Sequence, residues 1–215
     1  MFSSNFKRWS REILQRIVRP TLGRLGLTPN MVTLIGFLLT MGVAAVLANG
    51  SLFAGGLLLL AAGFFDMLDG ALARATDQAS PFGAFFDSIM DRYSEAVVFF
   101  GLLIHYQIHA GSDNLLAIGL VYSAILGSIM VSYARARAEG LGFECETGWL
   151  GRPERVILLA FGLVSGWMMT ALWILAVFTN LTAVQRIVHV WLAARRAEQA
   201  KNPQVKKSLF PFFEK

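Results

Sequence analysis

The sequence predicts an all-α integral membrane protein with six transmembrane helices preceded by an N-terminal amphipathic interfacial helix. Three observations carry that prediction. Hydrophobic residues make up 55% of the 215-residue chain, charged residues only 15%, and the mean hydropathy is +0.56. Apolar runs recur along the whole length, each near the roughly 20 residues that a bilayer span needs. Basic residues fall in blocks that alternate with segments holding none.

Residues 1–27 open the chain with Phe2, Phe6, Trp9, Ile13 and Ile17 at helical spacing, and with Lys7, Arg8, Arg11 and Arg19 on other faces. That pattern predicts an amphipathic helix lying on the membrane surface, with a solvated basic arm as the alternative. No small-residue cleavage site follows, so the stretch does not read as a cleaved signal peptide. Thr28 can cap a helix and Pro29 suits its first turn. The first span is expected over about 29–49, and the others over about 52–74, 83–107, 114–137, 154–171 and 172–194. The last two nearly touch, so five spans is the main alternative. Pro81, just before Gly83, suits the start of the third span. Residues 28–196 then form one membrane domain, and 197–215 a polar, basic tail ending in Leu209, Phe210, Phe212 and Phe213. The single cysteine, Cys145, excludes an internal disulfide and reads as a small buried or loop residue.

Lysine and arginine placement sets the orientation. They cluster before the first span and recur at Arg74, Arg92, Arg135, Arg137, Arg152 and Arg155, then from Arg186 to Lys215. The segments near 48–55, 104–114 and 165–171 contain none. By the positive-inside rule both termini are cytoplasmic, the span count is even, and the protein is multi-pass in the cell membrane. The net charge of +5 belongs to the cytoplasmic face and suits anionic lipid headgroups and phosphates. No basic-aromatic platform for nucleic acid is present.

Four aspartates interrupt this apolar chain between Asp66 and Asp91. A carboxylate in hydrocarbon costs several kcal/mol unless it is paired or binds a cation. Asp66 and Asp69 are three residues apart, Asp87 and Asp91 four, so on helices each pair shares a face. Two facing helices would bring four carboxylates into one small volume, where they repel unless a cation lies between them. Oxygen ligands suit Mg²⁺, Mn²⁺ or Ca²⁺, and the arrangement predicts a two-metal cluster of the kind that clamps phosphate oxygens. Gly70 and Ala73 are small enough to let a ligand approach the backbone, and Arg74 offers a guanidinium fork to a diphosphate. Asp66 precedes Arg74 by eight residues, about 12 Å of helix, which sinks the metal site below the cytoplasmic interface. Ser80 can cap the third span or meet phosphates.

The pattern D-x2-D-G-x2-A-R-x8-G-x3-D-x3-D, met here at every fixed position from Asp66 to Asp91, resembles the signature of the CDP-alcohol phosphotransferases. The resemblance implies six membrane helices covering nearly the whole chain, a homodimer, and transfer from a CDP-linked lipid to an alcohol with release of CMP. It implies two Mg²⁺ or Mn²⁺ ions on Asp66, Asp69, Asp87 and Asp91, with Asp91 as the base that deprotonates the acceptor. The segment Thr28 to Thr33 resembles the family's cytidine pocket, so Pro29, Asn30, Met31 and Val32 would touch the nucleotide. Asp66, Gly70, Ala73, Arg74 and Ser80 would complete the CDP-lipid site. Ser132 to Gly142, S-Y-x-[KR]-A-R-A-E-x-x-G, with the later Arg152-Pro153-Glu154-Arg155, resembles the prokaryotic branch that makes phosphatidylinositol phosphate and archaetidylinositol phosphate. Arg135, Arg137, Arg152 and Arg155 would then hold the phosphate of inositol 1-phosphate. Gly151 departs from that branch, which often has an acidic residue there. The donor would be CDP-diacylglycerol or CDP-archaeol.

Other readings stay open. Glycerol 3-phosphate or serine could be the acceptor, or a CDP-amino-alcohol could donate to diacylglycerol. Intramembrane aspartates also mark cation transporters, but the outer halves of these spans have almost no polar groups to form a pathway. Arg92 and Glu95 read as a local ion pair, and His105, His109 and His189 as histidines without a metal. Gly162 and Gly166 form a GxxxG pattern that permits close helix contact.

Overall fold

A computed structural model describes residues 26–109 and 114–201, which form six α-helices. They are α1 Pro29–Ala48, α2 Leu52–Ala75, α3 Pro81–His109, α4 Leu115–Gly140, α5 Arg152–Ser165 and α6 Met168–Lys201. The expected interfacial helix within residues 1–27 and the tail beyond 201 lie outside the described residues.

Local chemistry starts and stops these helices. Thr28 has extended backbone and its Oγ1 accepts from the Met31 N–H at 3.3 Å, with Pro29 in the first turn of α1. Ser80 Oγ accepts from the Gly83 N–H at 3.0 Å at the start of α3. Pro153 again occupies a first turn, that of α5. Gly166 has φ +79°, a left-handed conformation that ends α5 after Ser165. The last two helices therefore part at Gly166 and Trp167, not near residue 171 as the apolar pattern suggested. Hydropathy is continuous across that turn, so composition alone does not mark it. The GxxxG pattern divides in two roles. A Cβ at Gly162 would lie 2.4 Å from the Ala171 Cβ, so this glycine lets α5 and α6 approach, while Gly166 makes the turn.

Four helices, α1, α2, α4 and α6, are long and apolar enough to cross a membrane. By the same measure α3 carries too much charge, with Asp87, Asp91, Arg92 and Glu95, and α5 has only 14 residues. The all-helical membrane class thus holds, with four helices rather than six qualifying on length and composition alone.

The helices close into a ring in which α1 packs on α2 and α3, α2 on α5, α5 on α6, α6 on α4, and α4 on α3. One end of the ring is filled by Leu47, Phe99, Leu102, Val121, Leu172 and Leu175, all at most 1% exposed. In lipid such a cluster is held by close packing more than by exclusion of water. A smaller cluster of Val32, Ala71 and Leu72 joins α1 to α2 near the other end. The outside is apolar, with Phe53, Phe64, Phe100 and Leu115 exposed. The remaining volume, at the Thr28 and Ala75 end of α1 and α2, is polar.

Candidate active site

Asp66 and Asp69 on α2 and Asp87 on α3 each bring one carboxylate oxygen within 4.8 Å of the others. Asp69 is buried, and Thr33 on α1 donates its hydroxyl to Asp69 Oδ2 at 2.7 Å. The Gly70 N–H donates to Asp69 Oδ1. Both oxygens are thereby oriented before any ligand arrives.

Asp91 stands one turn further along α3 and outside that trio. Arg152, the first residue of α5, reaches between: its Nη1 lies 2.5 Å from Asp66 Oδ2 and 2.9 Å from Asp91 Oδ1. One guanidinium thus ties three helices together at the carboxylates. It cannot balance four of them, and Asp91 Oδ1 is buried without a well-formed hydrogen bond. An all-oxygen trio of this size, with more carboxylates around it than one guanidinium can neutralise, fits a hard divalent cation.

Two cavities meet at the cluster. The first, of about 230 Å³, is lined by Asn30, Thr33, Asp69, Gly70, Arg74 and Asp87, with Pro29, Ala73 and Ser80 at its wall. The second, of about 210 Å³, is lined by Asp91, Arg92, Arg135, Arg152, Arg155 and Arg186. Asp87 borders one and Asp91 the other, so the α3 aspartates form the partition.

The structure brings together most of the residues singled out in the sequence, but not all. Met31 is 48% exposed and Val32 is buried against Ala71 and Leu72, so neither side chain lines the first cavity. Only two of the four consecutive residues can face it on a helix. Ser80 both caps α3 and borders the cavity. Arg137 is exposed and does not line the second cavity, because two residues beyond Arg135 the helix has turned by roughly 200°. Arg135 does line it, and its Nε donates to Glu139 Oε1 at 2.7 Å. The expected Arg92–Glu95 pair is replaced. Glu95 receives Nε and Nη2 of Arg155 at 2.6 and 2.8 Å, and Arg92 instead lies 3.9 Å from Asp91 and donates to the Ser88 carbonyl. Arg155 is only 2% exposed, so a buried bidentate partner outcompetes a neighbour on the same helix.

Arg186 on α6 is the residue that sequence reasoning assigned only to a C-terminal basic block. It is buried, and its Nε and Nη1 donate to the Thr147 and Val131 carbonyls. Its place inside the span expected over 172–194 is itself the signal, since an arginine within a membrane helix is costly without a polar task. The histidines serve the frame: His109 Nε2 faces the Ala48 carbonyl at 3.1 Å and His189 Nε2 the Glu144 carbonyl at 3.2 Å. Cys145 is buried and free.

A ring of membrane helices around a carboxylate centre, with an arginine-bearing cavity on either side, defines a membrane-embedded enzyme for phosphorylated substrates. The chain belongs to the CDP-alcohol phosphatidyltransferase family, whose sequence profile matches residues 26–199. It is 40% identical over 187 residues to the archaetidylinositol phosphate synthase of Methanothermobacter thermautotrophicus, covering 84% of this chain and 92% of that protein. It is 38% identical over 189 residues to the phosphatidylinositol phosphate synthase of Mycobacteroides abscessus, covering 83% of this chain and 85% of that one. The crystal structure of Mycobacterium tuberculosis phosphatidylinositol phosphate synthase with CDP-DAG bound superposes with a TM-score of 0.77 at 35% identity, over 84% of this chain and 94% of that one. The same synthase in complex with manganese and citrate matches with a TM-score of 0.77, also at 35% identity, over 83% and 88% of the two chains.

Proposed function

We propose that this enzyme moves a phosphatidyl or archaetidyl group from a CDP-linked lipid to a hydroxyl of inositol 1-phosphate, releasing CMP. The observation that carries the reading is the partition of Asp87 and Asp91 between two arginine-bearing cavities, one holding Arg74 and the other Arg135, Arg152 and Arg186. A diphosphate and a second phosphorylated substrate can then meet at one row of carboxylates. The named synthases that the chain resembles support the inositol phosphate acceptor.

In this reading Asp66, Asp69, Asp87 and Asp91 hold two Mg²⁺ or Mn²⁺ ions, in keeping with the manganese complex of the M. tuberculosis synthase. The bound ions supply charge neutralisation at the diphosphate and polarise its phosphorus. Pro29, Asn30, Gly70, Ala73, Arg74 and Ser80 form the CDP side, where Arg74 pairs with a phosphate. Met31 and Val32 contribute backbone and shape. Asp91 takes the proton of the acceptor hydroxyl. The hydroxyl oxygen forms the new bond to the β-phosphorus, and the bond from that phosphorus to the bridging oxygen breaks, with its electron pair leaving on CMP. Arg135, Arg152 and Arg186 hold the acceptor's phosphate while its separate hydroxyl reacts, and Arg155 fixes Glu95 behind them. Arg137 contributes positive field from the cavity rim.

The same reading places six spans, both termini and the active site on the cytoplasmic face of the cell membrane, with residues 1–27 as an interfacial helix, 28–196 as the catalytic membrane domain and 197–215 as a cytoplasmic tail. The working form is a homodimer. An acceptor panel tests the proposal: purified enzyme with CDP-diacylglycerol or CDP-archaeol should release CMP fastest with inositol 1-phosphate. Equal rates with free inositol, serine or glycerol 3-phosphate would overturn the acceptor and leave the reaction class standing.

A further inference from the structure

Three carbonyls of the α4–α5 loop, spaced three residues apart, are each met by a nitrogen-bearing side chain from the helices that follow. His189 Nε2 lies 3.2 Å from the Glu144 carbonyl, Arg186 Nε donates to Thr147 at 2.8 Å, and Arg155 Nη1 donates to Leu150 at 3.3 Å. Cys145 is wholly buried between the first two, so the loop is anchored along its length. Two of its three partners, Arg155 and Arg186, line the second cavity.

Gly148 sits at the centre of this arrangement with φ +139°, which side-chain-bearing residues rarely adopt. A Cβ there would lie 2.6 Å from Thr182 Cγ2 and 3.4 Å from Arg186 Nε. A side chain at 148 therefore clashes with Thr182, one turn before Arg186 on α6, comes into contact with Arg186 itself, and strains the backbone that carries the Thr147 carbonyl. With Nε and Nη1 on fixed carbonyls, the plane of the Arg186 guanidinium is set, and three of its five N–H donors remain for an anion. A fork held in one plane loses less entropy when it takes a phosphate than a mobile one.

We propose that the loop from Leu141 to Gly151 is the positioning element of the acceptor pocket, and that Gly148 is a positioning residue which sets the affinity for the acceptor's phosphate through Arg186. This rests on the acceptor reading above. The carbonyl row also accounts for why a loop that contributes no charged group of its own to the cavity is pinned at three points.

The test is steady-state CMP release by purified enzyme, with donor and acceptor varied separately. Gly148→Ala should raise the acceptor KM about tenfold, the loss of one well-aligned charged hydrogen bond, with the donor KM unchanged and kcat much less affected. Adding Thr182→Ser removes the methyl group that the new Cβ meets and should recover part of that KM. His189→Phe releases the far end of the loop without touching the cavity and should raise the acceptor KM about threefold, so the inference stays testable if Gly148→Ala does not fold. Unmoved acceptor KM in the variants, or equal loss for donor and acceptor, overturns the inference alone. No CMP release by the unaltered enzyme with any phosphorylated acceptor overturns the reading of the site together with it.

Discussion

Thr33 on α1 and Asp69 on α2 share a buried 2.7 Å hydrogen bond across 36 residues of sequence. The Pro29 carbonyl, 3.1 Å from the same hydroxyl, competes for its one proton, and the shorter contact is the one to Asp69. A carboxylate oriented in this way cannot swing to relieve repulsion from Asp66 and Asp87. Thr33→Val should raise the Mg²⁺ concentration for half-maximal activity by about 10–100-fold, the usual cost of losing a partner behind a metal ligand. Thr33→Ser should keep it, and a titration of CMP release against Mg²⁺ separates the two.

Asp69→Asn and Asp87→Asn should each abolish turnover while the protein still inserts and elutes as a folded species. Each removes a charged oxygen from a trio within 4.8 Å that the proposed metal site depends on. Substantial activity of either variant at saturating Mg²⁺ would falsify the shared-metal reading. Chelation should likewise stop the unaltered enzyme, with Mg²⁺ or Mn²⁺ restoring it.

Arg186→Ala and Arg137→Ala should part company. Arg186 lines the second cavity from a buried position, whereas Arg137 is exposed outside it. The first should raise the acceptor KM by about ten- to a hundred-fold, as expected for a lost charge-assisted contact of about 1.5–3 kcal/mol. The second should change it by less than about twofold, in line with a screened surface charge. Equal effects would show that general positive field, not a defined contact, holds the acceptor.

Arg155→Ala should act on the fold before it acts on the substrate. Glu95 would be left largely buried without its bidentate partner, a change that costs about 3–5 kcal/mol where buried pairs have been broken. Thermal unfolding in detergent should show a clear drop in midpoint. Replacing Glu95 as well, with Glu95→Gln, should recover part of it.

Reporter fusions at the two ends should both read cytoplasmic. Ends on opposite faces would require an odd number of crossings and would overturn the six-span reading.

The features legible in the sequence were those written in local pattern. Apolar runs gave the helices, and the spacing of Asp66, Asp69, Asp87 and Asp91 gave the carboxylate faces, because helical periodicity is short. Thr28, Pro29 and Ser80 gave helix starts for the same reason. What escaped were pairings between distant segments. Arg186 meets the Thr147 carbonyl across 39 residues and Arg155 meets Glu95 across 60, and nothing near either residue announces its partner. Arg92 and Glu95 looked like partners because they are one turn apart, and lost to a neighbour that only the closed ring supplies. The turn at Gly166 was hidden by apolar residues on both sides of it, where backbone conformation rather than hydropathy sets the boundary.

The 14 residues of α5 span about 21 Å, less than the roughly 30 Å of a hydrocarbon core. On the proposed topology the turn at Gly166 holds the outer end of α5, so Arg152 at its other end cannot reach the headgroups. On that topology the second cavity beside Arg152 is a dimple about 10 Å deep in one face of the bilayer. The two reactants differ in kind, one confined to oil and the other to water, and neither has to leave its own phase. On the proposed reading the lipid slides in laterally with its tails still among other tails, the polyol phosphate descends through the dimple, and the shortfall of one helix is the place where they touch.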